Sequence, residues 1–448
     1  MRGIARRFVV TGTQLALAGF LTGLTGLLLF VPLAEHAPAV TAAYGTSLMA
    51  MSVVTVLGAG ATVMVVQRLA GARPGRGDVR ANGEPDPATR ELHDLCALVL
   101  LGTAVLLPLL VLVGVAVHLT DGTGLGAVAY WSRAPGMFFM PLNAMISGLL
   151  VLEGRQRVQL RIAVENLLLI GAAAVLLTRL ETSPVGVLLT VGFLGVLVDG
   201  FTFLRLRYRL GRGVGVRFGA VLRGGRAVLR RGIRPHLRRL PVLASGTTDA
   251  LVMMGSFMVV VLIANRDGAA TAAITAVLVN MVRTFVVPLK QFGIVGGRLA
   301  VAAGDPDGTD RRLRLFAGCV TVLLAPVGLL LLVFPGVVGR WAGGAVAHVD
   351  AETAIRLVGL QLLLEGVAGF GSSALKIVVS PAASLPHLTG VMFGFAVPTV
   401  ALLSLTGRLS LVSLWAVMLT ARLIFAGCVL WVHHTWRTRS GGAPVPTG

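Results

Sequence analysis

Acidic residues, cysteine and lysine are all scarce in this chain of 448 residues. The three cysteines, Cys96, Cys319 and Cys428, fall in apolar stretches. They are expected to pack as small side chains, because their positions suit neither a disulfide framework nor a metal site. Neither of the two lysines lies between a Gly and a Ser or Thr, which excludes a phosphate-binding GxxxxGK(S/T) loop. With no HExxH motif either, the sequence predicts no cofactor, no catalytic residue and no enzyme.

Apolar residues, by contrast, make up 55% of the chain, and the mean hydropathy is +0.86. A helix needs roughly 20 apolar residues to cross about 30 Å of hydrocarbon, where only a helix or a closed barrel satisfies its own backbone. The apolar runs are continuous rather than alternating, which argues against a barrel. The sequence therefore predicts an all-α integral membrane protein with about twelve transmembrane helices. The predicted spans are 9–33, 46–69, 95–118, 128–152, 160–181, 184–206, 238–264, 270–298, 315–339, 353–380, 387–406 and 409–432.

The distribution of arginine predicts the orientation of these spans, since positively charged loops stay in the cytoplasm. With the N-terminus inside, the inner segments are rich in arginine, above all 205–239, whereas the outer segments hold few, among them Arg133. Both termini are therefore expected in the cytoplasm, and the preference for Arg over Lys favours a bacterial plasma (inner) membrane. The net charge of +20 is assigned to arginines beside anionic headgroups, so membrane lipids and not nucleic acid are the expected partners.

A basic linker, residues 207–237, divides the chain into two predicted six-helix bundles, residues 1–206 and 238–448. The second span begins AVTAAYGTSLM (39–49), and the eighth begins AITAVLVNMV (273–282). Similar segments at corresponding places favour a parallel pseudo-repeat about an axis along the membrane normal. Because both halves lie in one chain, the protein is expected to function as a monomer.

Ionisable side chains within the predicted spans are the candidate functional residues. A charge near the bilayer centre costs at least a few kcal/mol and usually faces protein or a water-filled cavity. Counting at 1.5 Å per residue places four of these charges near the midplane, with Lys290 about 10 Å nearer the cytoplasm. Asp199 is placed near a cytoplasmic helix end. The candidate substrate- or ion-binding residues are Asp249, Glu365, Arg283 and Arg422 at the midplane, with Lys290, Asn280 and Gln361 on the same polar helix stripes.

Three interpretations of these residues stay open. In the first, Asp249 and Arg283 form a structural ion pair that ties the second half together. In the same interpretation, Glu365 and Arg422 form a second structural ion pair. In the second, Asp249 and Glu365 exchange a proton or Na⁺ as access to the cavity switches sides. In the third, Arg283, Lys290 and Arg422 receive an anionic substrate such as a phosphate or a carboxylate.

The predicted architecture resembles the multidrug and toxic compound extrusion (MATE) family. The shared features are six plus six spans, a basic connector, inside termini and acids on the seventh and tenth spans. The stretches QRLAGARPGRGD (67–78) and GRLAVAAGD (297–305) carry the loose sequence similarity. The resemblance implies a secondary active exporter of a small molecule, driven by H⁺ or Na⁺ antiport. It also implies that Asp249 and Glu365 bind the coupling ion.

Two departures from the MATE pattern keep an alternative open. The first span has Thr11, Thr13 and Gln14 but no acid, and the second half carries three cations within its spans. These departures favour relatives of MATE that move anions, such as a flippase for a lipid-linked oligosaccharide diphosphate. The stretches AAYGTSLM (42–49) and IANRDGAATAAITA (263–276) also resemble the progressive-ankylosis type of exporter, which implies pyrophosphate, nucleotide or citrate as cargo.

Overall fold

The computed structural model describes residues 2–33, 36–69, 87–177, 183–214, 217–237, 248–301, 306–337, 349–380 and 383–440. Throughout this part of the chain the regular structure is helical, which confirms the predicted all-α class. The longer helices are α1 Arg2–Leu28, α2 Pro38–Arg68, α3 Pro87–Thr120, α4 Leu125–Leu152, α5 Gln156–Leu177, α6 Pro184–Val214, α7 Phe218–Arg231, α8 Thr248–Arg266, α9 Ala269–Val301, α10 Pro306–Val333, α11 Val349–Val378, α12 Leu385–Leu405 and α13 Leu411–Ser440.

Ten of these helices are long and apolar enough to cross a membrane. The described apolar parts of the other two long helices that match predicted spans, α2 and α8, are shorter, at Pro38–Val54 and Leu251–Arg266. Several helices begin well before the predicted span, as α3 does at Pro87. The reason is that hydropathy marks the apolar part of a helix, whereas backbone hydrogen bonding continues into the polar turns on either side. The molecule is thus a multi-pass membrane protein.

The start of α1 and the end of α13 lie at the same face of the bundle. Phe8 stacks on Phe316 of α10, with ring centroids 4.1 Å apart, and Trp436 belongs to the same buried apolar cluster. We call this side the terminal face and the other side the opposite face. Helices α2 and α9 begin at the opposite face, where Ala42 packs with Ala272 and Ala273.

Two glycines let α1 lie close against α9. A Cβ atom on Gly23 would come 2.8 Å from the side chain of Thr284, and one on Gly19 would come 3.7 Å from Pro288. Small residues four positions apart face one side of a membrane helix and allow backbones to approach closely. Helix α1 therefore packs along the central part of α9, as well as against α5.

Near the opposite face, α2 is held tightly against α8 and α9. A Cβ atom on Gly45 would come 2.3 Å from the Cβ of Ala276, so at this point the two helices meet with no room for a side chain. At the next residue of α2, Thr46 Oγ1 accepts a 3.2 Å hydrogen bond from Asn265 Nδ2 of α8. These contacts hold α2 against α8 and α9 near the opposite face. The division into bundles at residues 206 and 238 stays a prediction.

The predicted linker differs from a simple surface connector. Its first residues continue α6, which ends at Val214, and residues 218–231 form the amphipathic helix α7. Phe218 and Val221 are buried in an apolar cluster with the start of α3, and Gly225 lies against Cys96. The spacing of these residues puts them on one face of α7, so the arginines are left on the other. Helix α7 is therefore docked on the terminal face.

Replacing Gly225 by leucine is expected to undock α7. A Cβ atom at Gly225 would come 2.9 Å from Cys96 Sγ, whereas one at Gly219 on the same helix meets nothing within 4 Å. Overpacking of about 1–3 kcal/mol should raise the alkylation rate of the buried Cys96 by a water-soluble maleimide roughly tenfold or more. The rate is measured by mass spectrometry of the Cys96 peptide, with Gly219→Leu as the matched control. Equal rates in the two variants would show that this contact does not hold α7 in place.

Candidate functional site

A cavity lies where α2, α4 and α6 meet α9. Protein atoms leave about 270 Å³ unfilled there, counting the space at its open mouth. Both charged and apolar side chains line it. The lining residues are Leu48, Met51 and Ser52 of α2, Arg133, Met137 and Met140 of α4, Asp199 of α6 and Arg283 of α9.

Helix geometry places this cavity deep within the membrane. Arg283 lies 14 residues after Ala269, and Asp199 lies 15 residues after Pro184. At 1.5 Å per residue, both side chains leave their helices about 20 Å from the opposite-face ends, well inside a hydrocarbon layer of about 30 Å. Charged side chains at such a depth usually face a cavity or another charge and often mark a transport pathway.

Two glycines make room for the charges of α4 and α6. A Cβ atom on Gly195 would come 3.2 Å from Arg133 Nε, and one on Gly136 would come 2.9 Å from Asp199 Oδ2. Each charged side chain therefore lies over a glycine of the neighbouring helix. Just after Arg133, α4 tightens into a 3₁₀ segment, Ala134–Phe138, because a proline in this segment lacks the N–H that an α-helical turn would use.

The charges in the cavity are unequal in sign. Arg133 interacts favourably with Asp199 and unfavourably with Arg283, while Tyr44 lies within electrostatic reach of both arginines. In the part of the chain that the structure describes, Asp199 forms no direct ion pair with either arginine. The two guanidinium groups and the one carboxylate leave the cavity with a positive bias.

Arg283 is oriented from its own helix. Its Nη1 donates a 3.5 Å hydrogen bond to Asn280 Oδ1, and Asn280 Nδ2 donates a 2.8 Å hydrogen bond to the carbonyl of Ala276. Asn280 is 2% exposed, so its amide is fixed by the packing of α9. This arrangement brings together two of the predicted site residues, Arg283 and Asn280.

Glu365 and Arg422 form a separate buried ion pair between α11 and α13. Both guanidinium nitrogens involved, Nε and Nη2 of Arg422, donate to the two carboxylate oxygens of Glu365. Glu365 is 0% exposed and Arg422 is 5% exposed. The central carbon of the guanidinium also lies 5.2 Å from the centroid of the Phe425 ring. A two-pronged pair of this kind occupies both oxygens of the acid.

Gln361 and Lys290 are not among the residues that line the cavity. Gln361 is 2% exposed, one turn before Glu365, and its Oε1 has no hydrogen-bond partner among the described residues. Lys290 is half-buried on α9, two turns beyond Arg283, and interacts with other groups of the protein. The side chain of Asp249 lies outside the described residues. In the described ranges, no group of three His, Cys, Asp or Glu side chains is placed to hold a metal ion.

Two residues of the cavity were not named as site residues by the sequence analysis. Arg133 was counted with an outer segment and Asp199 was placed near a cytoplasmic helix end, and the structure shows that both line the cavity. Charge counting treats an arginine near a predicted helix end as a topological signal, and it cannot show which helices converge. The available signal was a small residue beside each charge, Gly136 after Arg133 and Gly195 before Asp199, within otherwise apolar runs.

Comparison with solved structures identifies the fold. The chain is similar to the eukaryotic MATE transporter AtDTX14, with a TM-score of 0.71, 12% identity and 96% of this chain and 95% of that one covered. It is also similar to the inward-facing conformation of a multidrug resistance MATE family transporter of the MOP superfamily, with a TM-score of 0.69, 15% identity and 96% of each chain covered. The fold is therefore that of the MATE transporters.

A third similar structure is that of a MOP superfamily transporter from Pyrococcus furiosus. The binding pocket of that transporter has reverse polarity, which suggests a different function for it. Its TM-score is 0.65 at 15% identity, with 96% of this chain and 95% of that one covered. No protein-family model matches the chain, and no curated protein matches its sequence.

Proposed function

We propose that the protein is a MATE-like secondary active exporter that moves a small molecule across the membrane by alternating access. The observation that carries the proposal is the charged cavity at mid-membrane depth, lined by α2, α4 and α6 on one side and by α9 on the other. Arg283 comes from the second set of six predicted spans, and the other lining residues come from the first. A site shared between two halves can be opened to either side when the halves rock.

The packing around the cavity supports the same proposal. Near the opposite face, α2 and α9 are in direct contact at Gly45 and Ala276, and we take that side to be closed in this conformation. The arginine-rich helix α7 docks on the terminal face, which we assign to the cytoplasm because positively charged segments stay there. In this assignment the closed side is extracellular, and cargo enters from the cytoplasm.

We propose that export is coupled to H⁺ or Na⁺ antiport, with Glu365, a fully buried acid of α11, as the candidate group. In this conformation Arg422 occupies both of its carboxylate oxygens. The acid therefore exchanges a cation in the conformation in which this pair separates. Asp249, on the seventh predicted span, is the second candidate for this role.

Flux measured in proteoliposomes tests the export function. The purified full chain is reconstituted and supplied with a mixed panel of fluorescent cations and anions, and a proton or Na⁺ gradient is imposed. We expect at least one compound to move several-fold faster than in protein-free liposomes, with the rate falling when an ionophore collapses the gradient. Rates equal to those of protein-free liposomes across the whole panel would contradict the exporter, and rates insensitive to the ionophore would contradict the coupling.

A further inference from the structure

We infer that the cavity between Arg133 and Arg283 binds the phosphate or carboxylate group of an organic anion, and that this anion is the cargo. The inference rests on the proposed export function and adds the class of substrate. It depends on the side chains that α4, α6 and α9 bring together.

The charge balance of the cavity favours an anion. Arg133 and Arg283 are close enough to repel each other, and Asp199 is the one carboxylate among the lining residues. Repulsion between like charges is strong where surrounding protein and lipid exclude water. An anion placed between the two guanidinium groups replaces this repulsion with two attractions, whereas a cationic drug would add a further positive charge.

The hydrogen-bonding capacity of the two arginines fits the same ligand. Each guanidinium carries five N–H donors in a planar fork, and this shape matches the oxygens of a phosphate or carboxylate. Among the described residues, the side-chain hydrogen bond of Arg283 is the long one to Asn280 Oδ1, at 3.5 Å. Other N–H donors of this guanidinium group are therefore available to an anion in the cavity.

The remaining wall suits an apolar group. Leu48, Met51, Met137 and Met140 line the cavity beside the charges. Methionine side chains are flexible and polarisable, so they adapt to apolar groups of different shapes.

The position of the two arginines links binding to conformation. Arg133 lies on α4 and Arg283 on α9, which belong to different sets of six predicted spans. An anion that contacts both is bound most tightly when the two helices are close. A ligand shifts a conformational equilibrium by the difference in its affinity for the two states. The cargo therefore stabilises the conformation in which α4 and α9 are close.

Ligand-induced thermal stabilisation of the purified full chain tests the inference. The probes are naphthyl phosphate, farnesyl diphosphate, inorganic phosphate and the cation tetraphenylphosphonium. We expect naphthyl phosphate to bind, and Arg133→Gln and Arg283→Gln each to weaken it by roughly 10- to 100-fold, since each removes hydrogen bonds to a charged group. The matched control is Arg356→Gln, which changes an exposed arginine of α11 outside the cavity. If Arg283→Gln fails to fold, Arg283→Lys is used instead. It keeps the positive charge but lacks the planar set of N–H donors, so we expect an intermediate loss of affinity for naphthyl phosphate.

The outcomes separate the possible ligands. Binding of naphthyl phosphate assigns a soluble organic anion, whereas binding of farnesyl diphosphate alone, lost in both cavity variants, assigns the same phosphate chemistry to a lipid. Stabilisation by tetraphenylphosphonium that both variants retain would overturn the inference, as would stabilisation by none of the anions. Gradient-driven flux of cations that persists in Arg283→Gln would leave the exporter standing and remove the anionic cargo. Anion binding without any flux would contradict the exporter and the role of the anion as cargo, and would leave only an anion-binding site.

Discussion

Glu365→Gln is expected to lower the free energy of unfolding by about 3–5 kcal/mol, one of the largest effects of any single substitution in this protein. The change removes one partner of a fully buried ion pair and leaves the guanidinium of Arg422, which is 5% exposed, without its counter-charge. An uncompensated charge in an apolar interior costs far more than the pair contributes when it is intact. The measurement is the thermal unfolding midpoint of the purified protein in detergent.

The matched control for this substitution is Glu352→Gln, an exposed acid on the same helix α11. It is expected to change stability by no more than about 0.5 kcal/mol. The double variant Glu365→Gln with Arg422→Gln removes both charges and should recover most of the lost stability, because no unpaired charge remains. A Glu365→Gln midpoint equal to that of the control would show that the pair is not needed for the fold.

Gly45→Ala is expected to separate α2 from α9 near the opposite face and to shift the protein to a conformation open on that side. The added Cβ would come 2.3 Å from the Cβ of Ala276, a distance that requires the helices to move apart. Overpacking of about 1–3 kcal/mol corresponds to a shift in the conformational equilibrium of roughly 5- to 100-fold. We expect gradient-driven flux to fall to a similar extent, because each transport cycle needs the closed state.

The separation can be measured with spin labels at Ala37 and Arg266, which are exposed near the opposite face. Gly171→Ala on α5 is the control, since a Cβ there meets nothing within 4 Å. We expect the distance between the labels to lengthen in Gly45→Ala and to be unchanged in Gly171→Ala. An unchanged distance in both variants would mean that α9 adapts locally and that this contact does not control access.

The pair of Glu365 and Arg422 shows how far sequence reasoning reached. Both residues were placed near the midplane by counting along apolar runs, and an ion pair between them was one of the open interpretations. The structure joins them directly. Arg422 was also a candidate for receiving an anion, and in this conformation its guanidinium is engaged by Glu365. Counting residues along a span gives the depth of a side chain in the membrane. It does not show which neighbouring helix that side chain faces.

Arg283 and Arg133 show the limit of the same reasoning. Arg283 was a predicted site residue and lines the cavity, whereas Arg133 was counted as a topological charge of an outer segment. Arg133 lies on α4 and Arg283 lies on α9, 150 positions later in the chain. Their proximity depends on how the helices pack, and glycines such as Gly195 allow it. A pattern read along one helix cannot report a contact between two.

The amino-acid sequence by itself determined the class of the protein, the approximate position of its membrane helices and the depth of their charged residues. It could do so because the cost of placing backbone and charge in hydrocarbon acts locally on each segment. The tertiary structure alone decided which charges meet: Arg422 with Glu365, and Arg133 with Asp199 and Arg283. Close approach between helices depends on the fit of small residues across an interface, and this fit exists only when the partners are packed.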